Sequence, residues 1–138
     1  MKYCEAVLYE TLRLYPPFPA VMRYADKELH LKSCRIPAKT ACAINAWGAG
    51  RSQRAWGPDA HEYKPERWLK DKEPPGYPAS FLAFSSGRRA CIGKKYAITI
   101  MKTVMATCIR ELEISSEAQH LEMKLDIALR AVSGHLIQ

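Results

Sequence analysis

The sequence predicts a mainly α-helical chain with small β hairpins, and three observations carry that expectation. Near the N-terminus Cys4, Val7, Leu8, Thr11 and Leu12 recur at helical spacing. Far downstream, Ala97, Ile100, Met101, Val104, Cys108, Ile109 and Leu112 trace a second apolar stripe of the same period. Between them lie only short strand-like runs bounded by Gly and Pro, and a long stretch with neither period.

In chain order, the first helix runs from Met1 to Leu14 and is stopped by Pro16-Pro17, which also push Tyr15 out of the α region. No capping residue precedes it, so the chain is expected to begin in mid-protein. Leu29-His30-Leu31 and Ala41-Cys42-Ala43-Ile44 read as short strands around a turn-rich centre, Lys32 to Lys39. From about Trp47 to Ser86 the chain reads as irregular, a length that usually marks a functional or wrapped segment. A helix of about twenty residues follows Cys91. The tail from Leu121 alternates loosely, with Ser133-Gly134 placed as a hairpin turn would be.

Composition narrows the classes. A net charge of +7 is moderately basic, but the basic residues are scattered and no aromatic-studded basic stripe appears, so nucleic-acid binding is not expected. The densest basic group, Arg88, Arg89, Lys94 and Lys95, brackets Cys91 and suits an acidic protein partner or carboxylates. The five cysteines, 4, 34, 42, 91 and 108, form no C-x-x-C pair, which suggests neither a zinc site nor a disulfide framework. No run reaches the roughly 18 apolar residues of a membrane span.

Three places carry chemistry. Cys91 stands between Gly87 and Gly93, with Arg89 two residues before it and a helix beginning just after. Cationic charge and unpartnered helix N–H groups favour a thiolate, which can serve as nucleophile, redox centre or metal ligand. Ser85-Ser86-Gly87 gives a tight turn that brings backbone close to a flat ligand, and Phe84 supplies an apolar cover. Glu10 and Arg13 share a helix face. The neighbours Ala6, Val7 and Leu14 make a half-buried ion pair with a bidentate guanidinium a better account than a surface pair. Pro65-Glu66-Arg67-Trp68, taken alone, is a turn with an aromatic anchor.

Together these residues form a pattern. Phe84, Gly87, Arg89, Cys91 and Gly93 spell F-x-x-G-x-R-x-C-x-G, which resembles the haem-binding loop of the cytochrome P-450 superfamily. Glu10-Thr11-Leu12-Arg13 resembles that family's E-x-x-R helix, and Pro65-Glu66-Arg67-Trp68 its P-E-R-F segment, in the same order. The run Tyr9 to Pro17 and the Cys91 loop are most similar to the microsomal clan that includes fatty-acid hydroxylases and many insect members.

The resemblance implies a fold and a function. Residues 1–138 would be the C-terminal segment of a single haem-binding monooxygenase domain: E-x-x-R helix, irregular segment, Cys-ligand loop, long proximal helix and terminal hairpin. Cys91 would be the catalytic axial thiolate and iron ligand of haem, iron protoporphyrin IX, pushing electron density toward O–O cleavage. Arg89 and Arg23 would contact its propionates, Phe84 would shield the sulfur, and Gly87 and Gly93 would admit the porphyrin. Glu10, Arg13 and Arg67 would form a structural triad. Phe18 to Met22 and the Ser133-Gly134 turn resemble two substrate-contacting segments.

The activity implied is insertion of one oxygen atom from O₂ into a lipophilic substrate. Its electrons would come from an NADPH-dependent reductase, with cytochrome b5 as a second donor. The implied location is the cytoplasmic face of the endoplasmic reticulum membrane, held by an N-terminal anchor that this chain lacks. The oxygen-activating helix of the family is also absent, so the segment alone is expected to be inactive. Two further departures are local: the Ser33–Thr40 hairpin lacks the glycines usual around Ile-Pro, and Gly50-Arg51-Ser52-Gln53-Arg54 replaces the usual H-R-D stretch. A non-catalytic truncated remnant and a thiol-based regulatory module remain as alternatives.

Overall fold

A computed structural model describes residues 2–69, 74, 76–116, 121–126 and 128–133. Helix α1 spans Lys2–Leu14, with Glu5 in its first turn and Arg13 in its last, the charge order that a helix dipole favours. It turns Ala6, Glu10, Leu12, Arg13 and Leu14 inward. After the helix stops, β1 (Ala20–Ala25) pairs antiparallel with β4 (Thr40–Asn45), from Ala20 opposite Asn45 to Ala25 opposite Thr40. Nested between them, β2 (Leu29–His30) pairs with β3 (Arg35–Ile36).

Pairing therefore differs from the sequence expectation. The runs at 29–31 and 41–44 do not partner each other. The first closes locally on Arg35–Ile36, and the second finds the longer ladder offered by Ala20–Ala25. Six paired residues supply more backbone hydrogen bonds than a two-residue contact could. Lys39, at the entry to β4, takes φ +64 and gives its N–H to Ala25 O at 2.6 Å.

The stretch from Trp47 to Ser86 is also less irregular than its sequence. It holds two short helices, α2 (Ala46–Gly50) and α3 (Gln53–Trp56), and a 3-10 turn at Pro65–Trp68. The Asn45 side chain caps α2 by accepting from Gly48 N–H at 2.8 Å. Gly50 lets α2 lie against the end of α1, because a Cβ there would stand 2.2 Å from the Arg13 carbonyl oxygen.

The core is small and aromatic. Leu12, Trp56, Ala60, Phe81 and Ile98 form its buried centre, with Tyr9, Trp68, Tyr77, Phe84 and Met101 packed around it. Trp68 sits between Tyr9, Trp56 and Phe81, with ring centroids 5.2, 5.6 and 5.2 Å away. Helix α4 (Lys94–Glu111) closes this core. Its covered side follows Ala97, Ile98, Met101, Met105 and Cys108, whereas Ile100, Val104, Ile109 and Leu112 of the expected stripe are exposed. A 2.7 Å ion pair from Lys102 to Glu5 fixes α4 against α1.

The tail forms a hairpin of β5 (Met123–Leu125) and β6 (Leu129–Ala131). The reversal falls between the paired residues Leu125 and Leu129, with Asp126 N–H donating to Ala128 O, and not at Ser133-Gly134. Ser133 instead stands at the open end, its Oγ accepting from Glu122 N–H at 2.7 Å; Gly134 lies outside the described residues. Among the described residues, no helix is long and apolar enough to cross a membrane.

Candidate functional site

The loop before α4 is shaped by two left-handed residues, Ser85 (φ +60) and Gly87 (φ +74). Ser85 N–H closes a turn on Leu82 O at 2.9 Å, and Gly87–Arg89 makes one 3-10 turn. The chain thereby doubles back, and Cys91 N–H donates to Phe84 O at 2.9 Å. Position 87 needs glycine for its φ; nothing stands within 4 Å of where a Cβ would be, so the space beside it is open. A Cβ at Gly93 would meet Cys91 Sγ at 3.8 Å, an ordinary contact. The Cys91 side chain is exposed. The helix does not aim its first N–H at the sulfur: Lys94 N–H goes to the Cys91 carbonyl at 3.4 Å.

Cys91 opens on a cavity of about 490 Å³, within the range of small-molecule sites. Leu12 and Met101 supply apolar wall, Phe18 comes from the chain leading into β1, Val21 and Met22 from β1 itself, and Phe84, Ser85 and Arg89 from the loop. The structure thus brings Phe84, Arg89 and Cys91 together with the segment Phe18 to Met22. Arg23 is not in the wall but is tied to it, donating to Ser85 Oγ at 2.7 Å and to Met22 O at 2.9 Å. Arg88, Arg89 and Lys95 are exposed around the sulfur, and Lys94 is half-buried.

Helix α1, which gives Leu12 to the cavity wall, also carries a buried charge cluster. Glu10, Arg13 and Arg67 are 0%, 1% and 6% exposed. Arg13 grips Glu10 with two hydrogen bonds of 2.8 Å and gives its remaining N–H groups to the carbonyls of Gly50, Ala60 and Glu62. Arg67 Nε donates to the same carboxylate at 2.9 Å and reaches Asp59 at 3.5 Å. Lys64 N–H and Trp68 Nε1–H complete the shell of Glu10, each at 2.9 Å. Burial pushes the Glu10 carboxyl up, but the Arg13, Lys64, Trp68 and Arg67 hydrogen bonds outweigh it and hold it below the ordinary 4.5.

The sequence signalled Glu10, Arg13 and Arg67 through their motifs. It did not signal Trp68 as a donor, the Asp59 partner or the Ser85–Arg23 bond. Trp68 is adjacent to Arg67 and could have been suspected, whereas Ser85 and Arg23 are 62 residues apart with no pattern joining them.

Fold and site define a chain that presents one cysteine to a largely apolar cavity and carries a locked ion cluster on α1, the helix that gives Leu12 to the cavity wall. Comparison with known proteins agrees. The family model for cytochrome P450 matches residues 1–135. A probable cytochrome P450 4d20 of Drosophila melanogaster is 37% identical over 97% of this chain and 26% of its own length. Cytochrome P450 71A24 of Arabidopsis thaliana is 35% identical over 93% of this chain and 27% of its own. A crystal structure of a cytochrome P450 (CYP102L1) superposes with a TM-score of 0.83 at 26% identity, covering 99% of this chain and 31% of that one. The chain belongs to the cytochrome P450 family, and it spans about a quarter of the length of the curated relatives it matches.

Haem fits what is present. Among the described residues, no group of three or more His, Cys, Asp or Glu could hold a metal unaided. A metal already chelated by a planar macrocycle asks the protein for an axial donor, and Cys91 offers one beside open space at Gly87. The apolar wall suits the ring, and Arg89 suits its carboxylates.

Proposed function

We propose that this chain forms the thiolate-bearing side of a haem-thiolate monooxygenase acting on a lipophilic substrate. One observation carries the reading: Cys91 and Arg89 line the same cavity as Phe18, Val21 and Met22, so ligand donor, carboxylate partner and apolar contact segment converge. Haem, when bound, supplies the redox chemistry that inserts one atom of O₂ into the substrate. The chain's own part is to hold and cover it. Cys91 would be the axial ligand, with its backbone fixed by Phe84 O. Arg89 and Arg23 would take the propionates, and Phe84 would close the sulfur side. Phe18 to Met22 would face the substrate.

The exposed charges of Arg88, Lys94 and Lys95 suit an acidic electron donor, an NADPH-dependent reductase or cytochrome b5. An endoplasmic reticulum location on the cytoplasmic face, with an N-terminal membrane anchor, belongs to the same proposal and follows from the family resemblance. Insect and plant relatives are similar to this chain to the same degree, 37% and 35–38%, so no substrate is chosen between them.

The test is a titration of the chain with ferric haem, followed by reduction under carbon monoxide. The red-shifted Soret band of haem–thiolate should appear and should vanish in Cys91→Ala. Alanine at Cys4, Cys34, Cys42 or Cys108 should leave it unchanged. A band that survives Cys91→Ala would refute the assignment, and reactivity at Cys91 without haem uptake would favour a thiol-based module.

A further inference from the structure

Ser85 occupies a backbone conformation that suits glycine, φ +60, yet carries a hydroxyl. That hydroxyl accepts a 2.7 Å hydrogen bond from Arg23 Nη2. The second tether of the guanidinium is the Met22 carbonyl, 2.9 Å from Nη1. Both tethering residues line the Cys91 cavity, so the cation is pinned at its edge. Two of five guanidinium N–H groups are used by these bonds, and three remain for an incoming acceptor. The Ser85 hydroxyl, having accepted from Arg23, also keeps its own proton to donate.

We propose that Ser85 is a positioning residue: its hydroxyl orients Arg23 so that a carboxylate of the group bound in the Cys91 cavity meets a preorganised cation. The role rests on the reading of that cavity as a haem site. A glycine would hold the same turn without strain, so the serine is explained by what it holds and not by the loop it shapes. The bond also joins β1 to the Cys91 loop, which is the bland account of it. The two accounts differ in what they predict for a ligand without carboxylates.

The experiment titrates the chain with ferric protoporphyrin IX and, separately, with its dimethyl ester, in detergent that keeps both probes dispersed. Ser85→Gly should keep or raise the thermal midpoint of the haem-free chain. Its affinity for protoporphyrin IX should fall roughly tenfold, the scale of one charge-assisted hydrogen bond. Affinity for the ester should not change. Ser85→Ala should repeat the selective loss, and Ser85→Gly added to Arg23→Gln should lower affinity no further. Equal losses for the two probes, or no loss for either, overturn the proposal. A parent chain that takes up haem no better than Cys91→Ala overturns the haem reading itself, a different result from a Cys91-dependent site indifferent to Ser85.

Discussion

Glu10 gathers both arginines and an indole around one carboxylate, so its charge holds α1 and the Pro65–Trp68 turn in register. Glu10→Gln keeps the shape but leaves two buried guanidiniums short of a counter-charge. Breaking such a group costs about 3–5 kcal/mol, to be read as a lowered urea midpoint at neutral pH. The pH dependence follows from the lowered carboxyl. Its contribution is complete above the ordinary value of 4.5 and is lost as pH falls through the lower folded value. Acid titration of the parent should therefore show stability falling below 4.5, and Glu10→Gln should flatten that slope. A variant that keeps the parent's slope would place the acid sensitivity elsewhere. At this scale the sequence was informative because a carboxylate among Ala6, Val7 and Leu14 demands a partner. The bonds of Arg13 to the Gly50, Ala60 and Glu62 carbonyls and of Lys64 N–H to Glu10 span 37 to 54 residues and leave no local trace.

Elements were legible in proportion to their length. Helices α1 and α4 carry enough turns for a period to show, whereas α2 and α3 are one turn each and rest on the Asn45 cap and on contact with α1. Ala97, Met101 and Cys108 of the expected α4 stripe lie on its covered side, but that side is chosen by α1 through Ile98 and Met101, and apolar residues also occupy the outer side. Strand β1 escaped because its partner begins fifteen residues after it ends. Two predictions belong here. Lys39 holds a left-handed φ of +64 without a compensating side-chain bond, so Lys39→Gly should raise stability, by about 0.5–1 kcal/mol after the entropy cost of glycine. Gly50→Ala should do the reverse, losing about 2–3 kcal/mol as Cβ meets the Arg13 carbonyl. Thermal midpoints moving in opposite directions check both at once.

The molecule as a whole has a covered side and an open one. Val104 and Ile109 are 55% and 64% exposed, and Ile92, Ile100 and Leu112 are exposed with them. Exposed apolar side chains at this density favour association. Light scattering should show the chain's mass rising with concentration, and Val104→Glu with Ile109→Glu should hold it monomeric at unchanged helicity. A parent that stays monomeric at high concentration would show that the outer face of α4 tolerates water. The same two changes lie away from the residues lining the Cys91 cavity, so haem uptake should be unaffected.

The Trp68 indole has one edge on the Glu10 carboxylate and its ring in the aromatic core. Excitation moves electron density from the pyrrole edge of an indole toward its benzene edge, so a fixed anion at the N–H tunes the colour of the emitted light. The chain therefore carries its own optical gauge: as acid discharges Glu10, fluorescence should change before the helices melt, and Trp68→Phe should silence that early signal.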